Sequence, residues 1–429
     1  MNSSFVVRGN LCHSKDVKTL ESMEKGYVVC EKGVCAGMFL DLPEAYQGLP
    51  LLDFGQSLVI PGLVDLHVHA PQYAFRGLGM DMELLDWLNA RVFPEEARYR
   101  DLEYAKRAYS FFVEDLKKSS TTRACIFATL HSPATILLMD MLEASGLVTL
   151  VGKVNMDRNG PSVLQEESAA FSAGQTLAWL EQIDGRYSNT APIITPRFIP
   201  SCSDELMTAL SEIRGQRKLP VQSHLSENPS EGDWVRSLCP DASCYGDAYQ
   251  RFGLFGGNAP TIMAHCVWCD DEESEMLRRN NVFVAHCPQS NMNLSSGIAP
   301  VRRFLDRGIR VGLGSDVAGG CHISIFRAMA DAIQCSKLRW RLVDPNDAPL
   351  AFAEAFYMGT AGGGAFFAEA GGAGAGAFVP GYDFDALVID DSAIATPHEL
   401  GIEERLERAV YFADERHIAA KFARGRRIV

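Results

Sequence analysis

No uncharged apolar run of about 18 residues or more occurs in the 429-residue chain, so no membrane-spanning helix is expected. The opening Met1-Asn2-Ser3-Ser4 lacks a basic stretch followed by an apolar one, so no export leader is read and a cytoplasmic location is expected. Positive charge is also scarce. Lysine and arginine number 40 against 54 aspartates and glutamates, and the net charge of −14 argues against a nucleic-acid backbone or an anionic membrane as partner. Small neutral or cationic ligands stay open. No second Cys-x-x-Cys accompanies Cys266-Val267-Trp268-Cys269, so that pair is read as structural rather than as half of a zinc site. The 12 cysteines are scattered, several inside apolar runs (Cys125, Cys266, Cys287), and are expected to be reduced and buried. There is no solenoid-type repeat.

What is present is the composition of an ordinary globular protein, 47% hydrophobic and 22% charged, long enough for one large α/β domain and an accessory unit. Residues 1–57 hold short β-like runs (Phe5–Arg8, Gly26–Cys30, Val34–Phe39) separated by polar turns. Asp385–Asp390 and the stretch Ala409–Val429 have the same character. A small antiparallel sheet built from both termini, a β-sandwich accessory domain over 1–57 and 380–429, is the expectation. Between the termini, apolar strand-like runs end near His67, Thr129, Met156, Phe198, Glu227, Val267, Gln289 and Val317. Helix-compatible stretches follow them, among them Glu95–Lys118, Val163–Ile183, Asp204–Gln216 and Asp271–Arg279. Alternation of this kind predicts an α/β fold, a (β/α)8 TIM barrel over 58–379. Two features fit it less well. Arg123 puts a charge in a strand expected to be apolar or small, where it must face outward or pair with an acid. The Gly/Ala-rich tract 362–377 reads as a loosely specified return to the accessory sheet.

Functional groups in a barrel of this kind sit at the C-terminal ends of the strands. The first run, Leu58–Val68, is too oily to face water yet ends in His67-Val68-His69. Alternation along a strand puts both imidazoles on one side, close enough to chelate one metal ion. Later runs end in Arg197, in His224 with Glu227, in His265, in His286 and in Asp316. Any one of these histidines alone reads as a satisfied core residue; as a set, with a carboxylate on the eighth run, they read as one site. His131, His286 and His322 carry less, as pocket lining, loop ordering and an outlying or exposed group. Asp81 reads as a helix N-cap that could approach a substrate.

At this point the chain resembles the amidohydrolase superfamily, in its mononuclear-metal deaminase branch. The resembling segments are Pro61–Tyr73, Thr195–Phe198, Gln222–Asn228, Met263–Cys266, Ala285–Asn291 and Gly312–Gly320, with Tyr382–Leu387 matching the return to the small sheet. His-Ala-x-Gln-Tyr and Pro-Arg-Phe point to the guanine-specific members. The resemblance implies one zinc ion, with iron as the other candidate, held by His67, His69, His224 and Asp316, and a water hydrogen-bonded by His265. The branch with two metals uses a lysine at the end of the fourth strand; here Pro196-Arg197-Phe198 stands in its place, so a single metal is expected. A homodimer and a small-molecule purine, guanine, are the implied partners.

Those residues suit hydrolytic deamination of guanine to xanthine and ammonia. Bound zinc makes hydroxide available near neutral pH, and neutral imidazoles keep the ion a strong Lewis acid. Asp316 can accept the water's proton, and Glu227 can protonate a ring nitrogen and then the departing amine. Gln72, Arg197 and Phe198 would read the purine's polar edges and face. Three alternatives compete. A sibling enzyme would act on another aminated heterocycle (8-oxoguanine, an adenosine-type thioether or a triazine). A binding protein that had lost its ligands would lack histidines that are all present here. The separate cytidine-deaminase fold needs His-x-Glu and Pro-Cys-x-x-Cys, neither of which occurs.

Overall fold

The computed structural model describes residues 4–429, so most of the opening Met1–Ser4 segment lies outside the described residues. The chain begins with β1 (Phe5–Ser14), β2 (Leu20–Glu31), β3 (Val34–Phe39) and β4 (Leu51–Pro61). Lys32 and Gly33, both at positive φ (52° and 92°), supply the two-residue turn that joins β2 to β3. The middle of the chain contributes β5 (Leu63–His69), β6 (Thr121–Phe127), β7 (Val148–Gly152), β8 (Val154–Asn155), β9 (Thr190–Pro192), β10 (Thr195–Pro196), β11 (Val221–Leu225), β12 (Thr261–His265), β13 (Phe283–His286) and β14 (Val311–Leu313). The C-terminal part adds β15 (Ala386–Ile389), β16 (Ile418–Ala423) and β17 (Arg426–Arg427).

Both termini do share one sheet, in the order β17-β16-β15-β4-β1-β2-β3. It differs from the expected antiparallel sandwich. The seven strands are hydrogen-bonded as one sheet, and it is mixed, because β1 and β4 run parallel. The central strands form two parallel four-stranded sheets, β5-β6-β7-β9 and β11-β12-β13-β14, with β8 and β10 as a short pair. Ile194 bridges in parallel to Val221 between the two sheets. At the other junction the Asp316 N–H donates to the His67 carbonyl (2.8 Å) and the His69 N–H to the Val317 carbonyl (3.1 Å). Helices Leu102–Lys118, Ser132–Ser145, Ala169–Ile183, Asp204–Arg217, Asp271–Arg279 and Ile325–Leu342 connect the strands. The first and third start later than their apolar periodicity suggests, because Asp101 and Ser168 cap them with side-chain oxygens. Residues 84–100 are instead a series of short turns that packs Leu84, Trp87 and Val92 inward.

Arg123 is buried, and its guanidinium donates to Asp385 (2.5 Å) and Asp383 (2.7 Å). The strand charge is thus the bolt between β6 and the segment that leads into β15. Lys421 on β16 does similar work, donating to the carbonyls of Leu116, Ser119 and Thr121 at 3.0, 2.8 and 3.0 Å. The Gly/Ala tract corrects its expectation too. It opens as helix Gly363–Glu369, with Phe366 edge-on to Phe283 at 5.2 Å. Gly363 packs so closely on β5 that a Cβ there would lie 2.7 Å from the Val64 Cβ, so glycine is needed for the approach rather than for looseness.

All twelve cysteines are free and nine of them are buried, as expected. Among the described residues no helix is long and apolar enough to cross a membrane. Arg123→Ala should destabilise the protein by about 3–5 kcal/mol, since it strands two buried carboxylates. The check is the urea unfolding midpoint, which an inessential contact would leave unchanged.

Candidate metal centre and pocket

β5 carries a bulge that decides where its histidines point. Asp65 pairs with Ala124 but Val68 with Ile126, three residues against two, so β5 has one extra residue. Val64 and Leu66 pack in one cluster with Cys125, Ile262 and Phe283, whereas Val68 joins the other, helix-facing core. The alternation changes phase at the bulge, and such bulges re-aim side chains beside sites. Past it, His67 and His69 share one side, as their spacing predicts. Their rings are edge-on at 4.9 Å, and the Phe127 ring lies 4.9 and 4.6 Å from them.

The other strand ends meet them. His69 Nε2 lies 3.2 Å from His224 Nε2, and Asp316 Oδ1 lies 3.1 and 3.4 Å from His67 Nε2 and His69 Nε2. His265 Nε2 is 3.4 Å from Glu227 Oε2 and 3.8 Å from Asp316 Oδ2. Two of these residues sit at left-handed backbone positions, His265 at φ 73° and Asp316 at φ 45°. Such conformations cost about 1–3 kcal/mol for a non-glycine residue and persist where the surroundings over-determine them.

The donor set fits a divalent metal. Ligand-type atoms of His67, His69 and His224, and of His67, His265 and Asp316, form two groups in which all lie within 4.8 Å of one another. His67 Nε2 is buried and makes no well-aligned hydrogen bond, although Asp316 Oδ1 lies 3.1 Å from it. His224 Nδ1 donates to the Arg197 carbonyl (2.7 Å), which leaves its Nε2 as a lone pair facing the cluster. His265 Nδ1 likewise meets Asn291 Oδ1 at 2.9 Å. Burial first, then neighbouring imidazoles, hold His69 and His224 well below the ordinary histidine range, and neutral rings are what metal ligation requires. Burial raises Asp316, but His67, His265 and His69 outweigh it and keep it ionised.

Glu227 is also buried. Burial, then the charge of Asp316, pushes its carboxyl well above the usual range, and Ser296 Oγ donates to its Oε1 at 3.2 Å. Gln72, Arg197 and Phe198 line the same cavity as His69, His224, Glu227, His265 and Asp316, with Leu84, Trp87, Leu88, Glu231 and Leu294. His67 belongs to the same donor cluster without lining the cavity, and His265 sits as near that cluster as the four expected ligands.

The lesser candidates fall away. His322 is exposed, and His131 and His286 are absent from the cavity wall. Asp81 is exposed, and it is Glu83 that precedes the short helix Leu84–Trp87. Sequence reasoning missed Glu96, which binds Gln72 and Arg197, and Glu231, whose Oε2 accepts the Glu227 N–H at 3.1 Å. Burial, then Glu227, raises Glu231 to about 7. Both stand in the first turns of short helices, in Phe93-Pro94-Glu95-Glu96 and Asn228-Pro229-Ser230-Glu231, where acids are ordinary. Asp65 was missed as well. It accepts from the N–H of His67 (3.1 Å) and from Ser315 N–H and Oγ (3.0 and 2.5 Å), tying the first strand end to the last.

Comparison with known proteins extends this picture. The amidohydrolase family model matches residues 58–428. Guanine deaminase of Dictyostelium discoideum is 35% identical over 98% of this chain and 97% of its own length. The crystal structure of guanine deaminase from C. acetobutylicum with bound guanine in the active site superposes with a TM-score of 0.95 at 45% identity, covering 99% of this chain and 100% of that one. Atrazine chlorohydrolase from Arthrobacter aurescens TC1, complexed with zinc, shares the fold alone, with a TM-score of 0.84 at 15% identity over 99% of this chain and 95% of that one.

The ligand geometry generates a direct expectation. His224→Ala should lower bound metal together with activity, by elemental analysis of the purified protein. Full metal occupancy in that variant would remove His224 from the ligand set.

Proposed function

The chain belongs to the amidohydrolase family, and on that premise we propose that it hydrolyses guanine to xanthine and ammonia. The observation that carries the reading is the likeness over the whole chain to guanine deaminases, one of which holds guanine in its active site. The rival substrates are less well supported, since the triazine enzyme stands at 15% identity against 45%.

The eight parallel strands are read as a closed (β/α)8 barrel, supported by the Ile194–Val221 bridge and by the bonds from Asp316 and His69 across the β14–β5 junction. Two units belong to this reading, an accessory one from both termini and a catalytic one from the middle of the chain.

His67, His69, His224 and Asp316 would hold a single metal, zinc in our reading. When bound it would supply Lewis acidity and lower the pKa of a water toward neutrality. The protein's own groups do the rest. Asp316, ionised and beside His67, His69 and His265, takes a proton from the attacking water. Glu227, kept protonated by burial, donates to a ring nitrogen of the base and makes the amine-bearing carbon electrophilic. Water adds at that carbon; the Glu227 carboxylate then takes the adduct's hydroxyl proton and passes it to the amine, which leaves as ammonia as the carbonyl forms, and the proton held by Asp316 returns to Glu227. His265, its ring fixed by Asn291, hydrogen-bonds the attacking water. Arg197 donates to the base's carbonyl, Gln72 reads its edge, and Phe198, edge-on to Trp234 at 6.0 Å, packs on its face.

Ammonia release measured across guanine, adenine, 8-oxoguanine and cytosine should be rapid for guanine alone; release from another base instead would overturn the roles of Gln72 and Arg197. Glu227→Gln should keep its metal and lose turnover by about a hundredfold or more. Near-normal turnover in that variant would rule out the proton-shuttle role.

A further inference from the structure

Glu96 lies at the end of the short helical turn Phe93–Glu96, far in sequence from every strand end, and is 4% exposed. Its two carboxylate oxygens are divided between two polar residues of the cavity wall, Gln72 and Arg197. Oε1 accepts from Gln72 Nε2 at 3.0 Å, and Oε2 accepts from Arg197 Nη1 at 2.6 Å. The Phe93 ring, from the same turn, lies 5.3 Å from the Arg197 guanidinium. On its other side the Gln72 carboxamide oxygen accepts the Ala318 N–H at 3.3 Å.

A carboxamide has two orientations that differ only by exchange of its oxygen and nitrogen, and its surroundings choose between them. Here the choice is forced from both ends. Flipping Gln72 would set its oxygen against the Glu96 carboxylate and its NH2 against the Ala318 N–H, two mismatches at once. Glu96 can only accept, so it cannot adapt to the flipped form. The amide is left with one N–H and one lone pair to offer, in fixed order.

We propose that Glu96 is a positioning residue for base selection, which locks the Gln72 amide in one orientation and holds Arg197 beside it. This rests on the reading of the cavity as a guanine site. Guanine presents a carbonyl next to a ring N–H. 2,6-Diaminopurine keeps the same 2-amino group but reverses that edge, with an amino group next to an unprotonated ring nitrogen. A locked amide therefore discriminates between two bases that carry the same reacting group, and an amide free to flip does not.

Glu96→Gln removes the lock, because a glutamine there can itself flip to donate. The measurement is kcat and KM for guanine and for 2,6-diaminopurine, with metal content on the same samples. The expected result is unchanged metal, a guanine KM raised about tenfold or more with a smaller change in kcat, and a guanine-to-diaminopurine preference in kcat/KM narrowed by about tenfold. A merely structural role would slow both bases equally, and an unchanged preference overturns the proposal. If Glu96→Gln does not fold, because Arg197 loses its buried partner, Glu96→Asp is read the same way. It keeps the charge but cannot span both partners, and an unchanged preference there overturns the proposal equally. An unsubstituted protein that releases no ammonia from guanine would instead overturn the underlying guanine reading.

Discussion

The register between the first and last central strands is the constraint on which the site depends. His67 and His69 come from β5, and Asp316 lies just past β14, some 250 residues away by the span that also separates Asp65 from Ser315. They meet because the Asp316 N–H donates to the His67 carbonyl, the His69 N–H donates to the Val317 carbonyl, and Asp65 grips Ser315 through two bonds. A slip of one residue at that junction would turn Asp316 to the opposite face and take the carboxylate out of the cluster. The bulge in β5 adjusts the phase on the opposite edge of that strand, where it pairs with β6. Backbone pairing thus fixes a geometry that side-chain packing alone would leave loose.

Burial then sets the protonation states. Taking polar groups out of water disfavours their charged forms, which keeps His69 and His224 neutral and Glu227 protonated. Asp316 escapes because three imidazoles surround it. One cavity thereby holds an ionised carboxylate beside a neutral carboxylic acid, a division of labour that hydrolysis with an amine leaving group can use. From the turns of residues 84–100, Leu84, Trp87 and Leu88 line the cavity, and Glu231, itself raised to about 7, accepts the Glu227 N–H.

Much of this was legible in the sequence. Strand-to-helix alternation located the eight central strands, because short apolar runs bounded by turn residues leave few other readings. The His-x-His, His-x-x-Glu and Ser-Asp strand ends marked side chains that the structure gathers into one cluster. What escaped notice lay outside that rhythm. The single terminal sheet with its parallel β1–β4 pair depends on long-range register, which composition does not encode. Arg123 could be recognised as anomalous, but its partners Asp383 and Asp385 are about 260 residues away. The Gly/Ala tract looked slack because glycine's two uses, freedom and close approach, look alike in sequence. Glu96 and Glu231 were hidden by their positions in first helical turns.

The most direct test of the central claim is a crystal structure of Glu227→Gln grown with guanine, with anomalous scattering recorded at the metal edge. The account predicts one metal peak among His67, His69, His224 and Asp316, and guanine with its amine-bearing carbon toward that peak and its carbonyl toward Arg197. Two metal peaks, or guanine bound with its amine turned away from the metal, would contradict it.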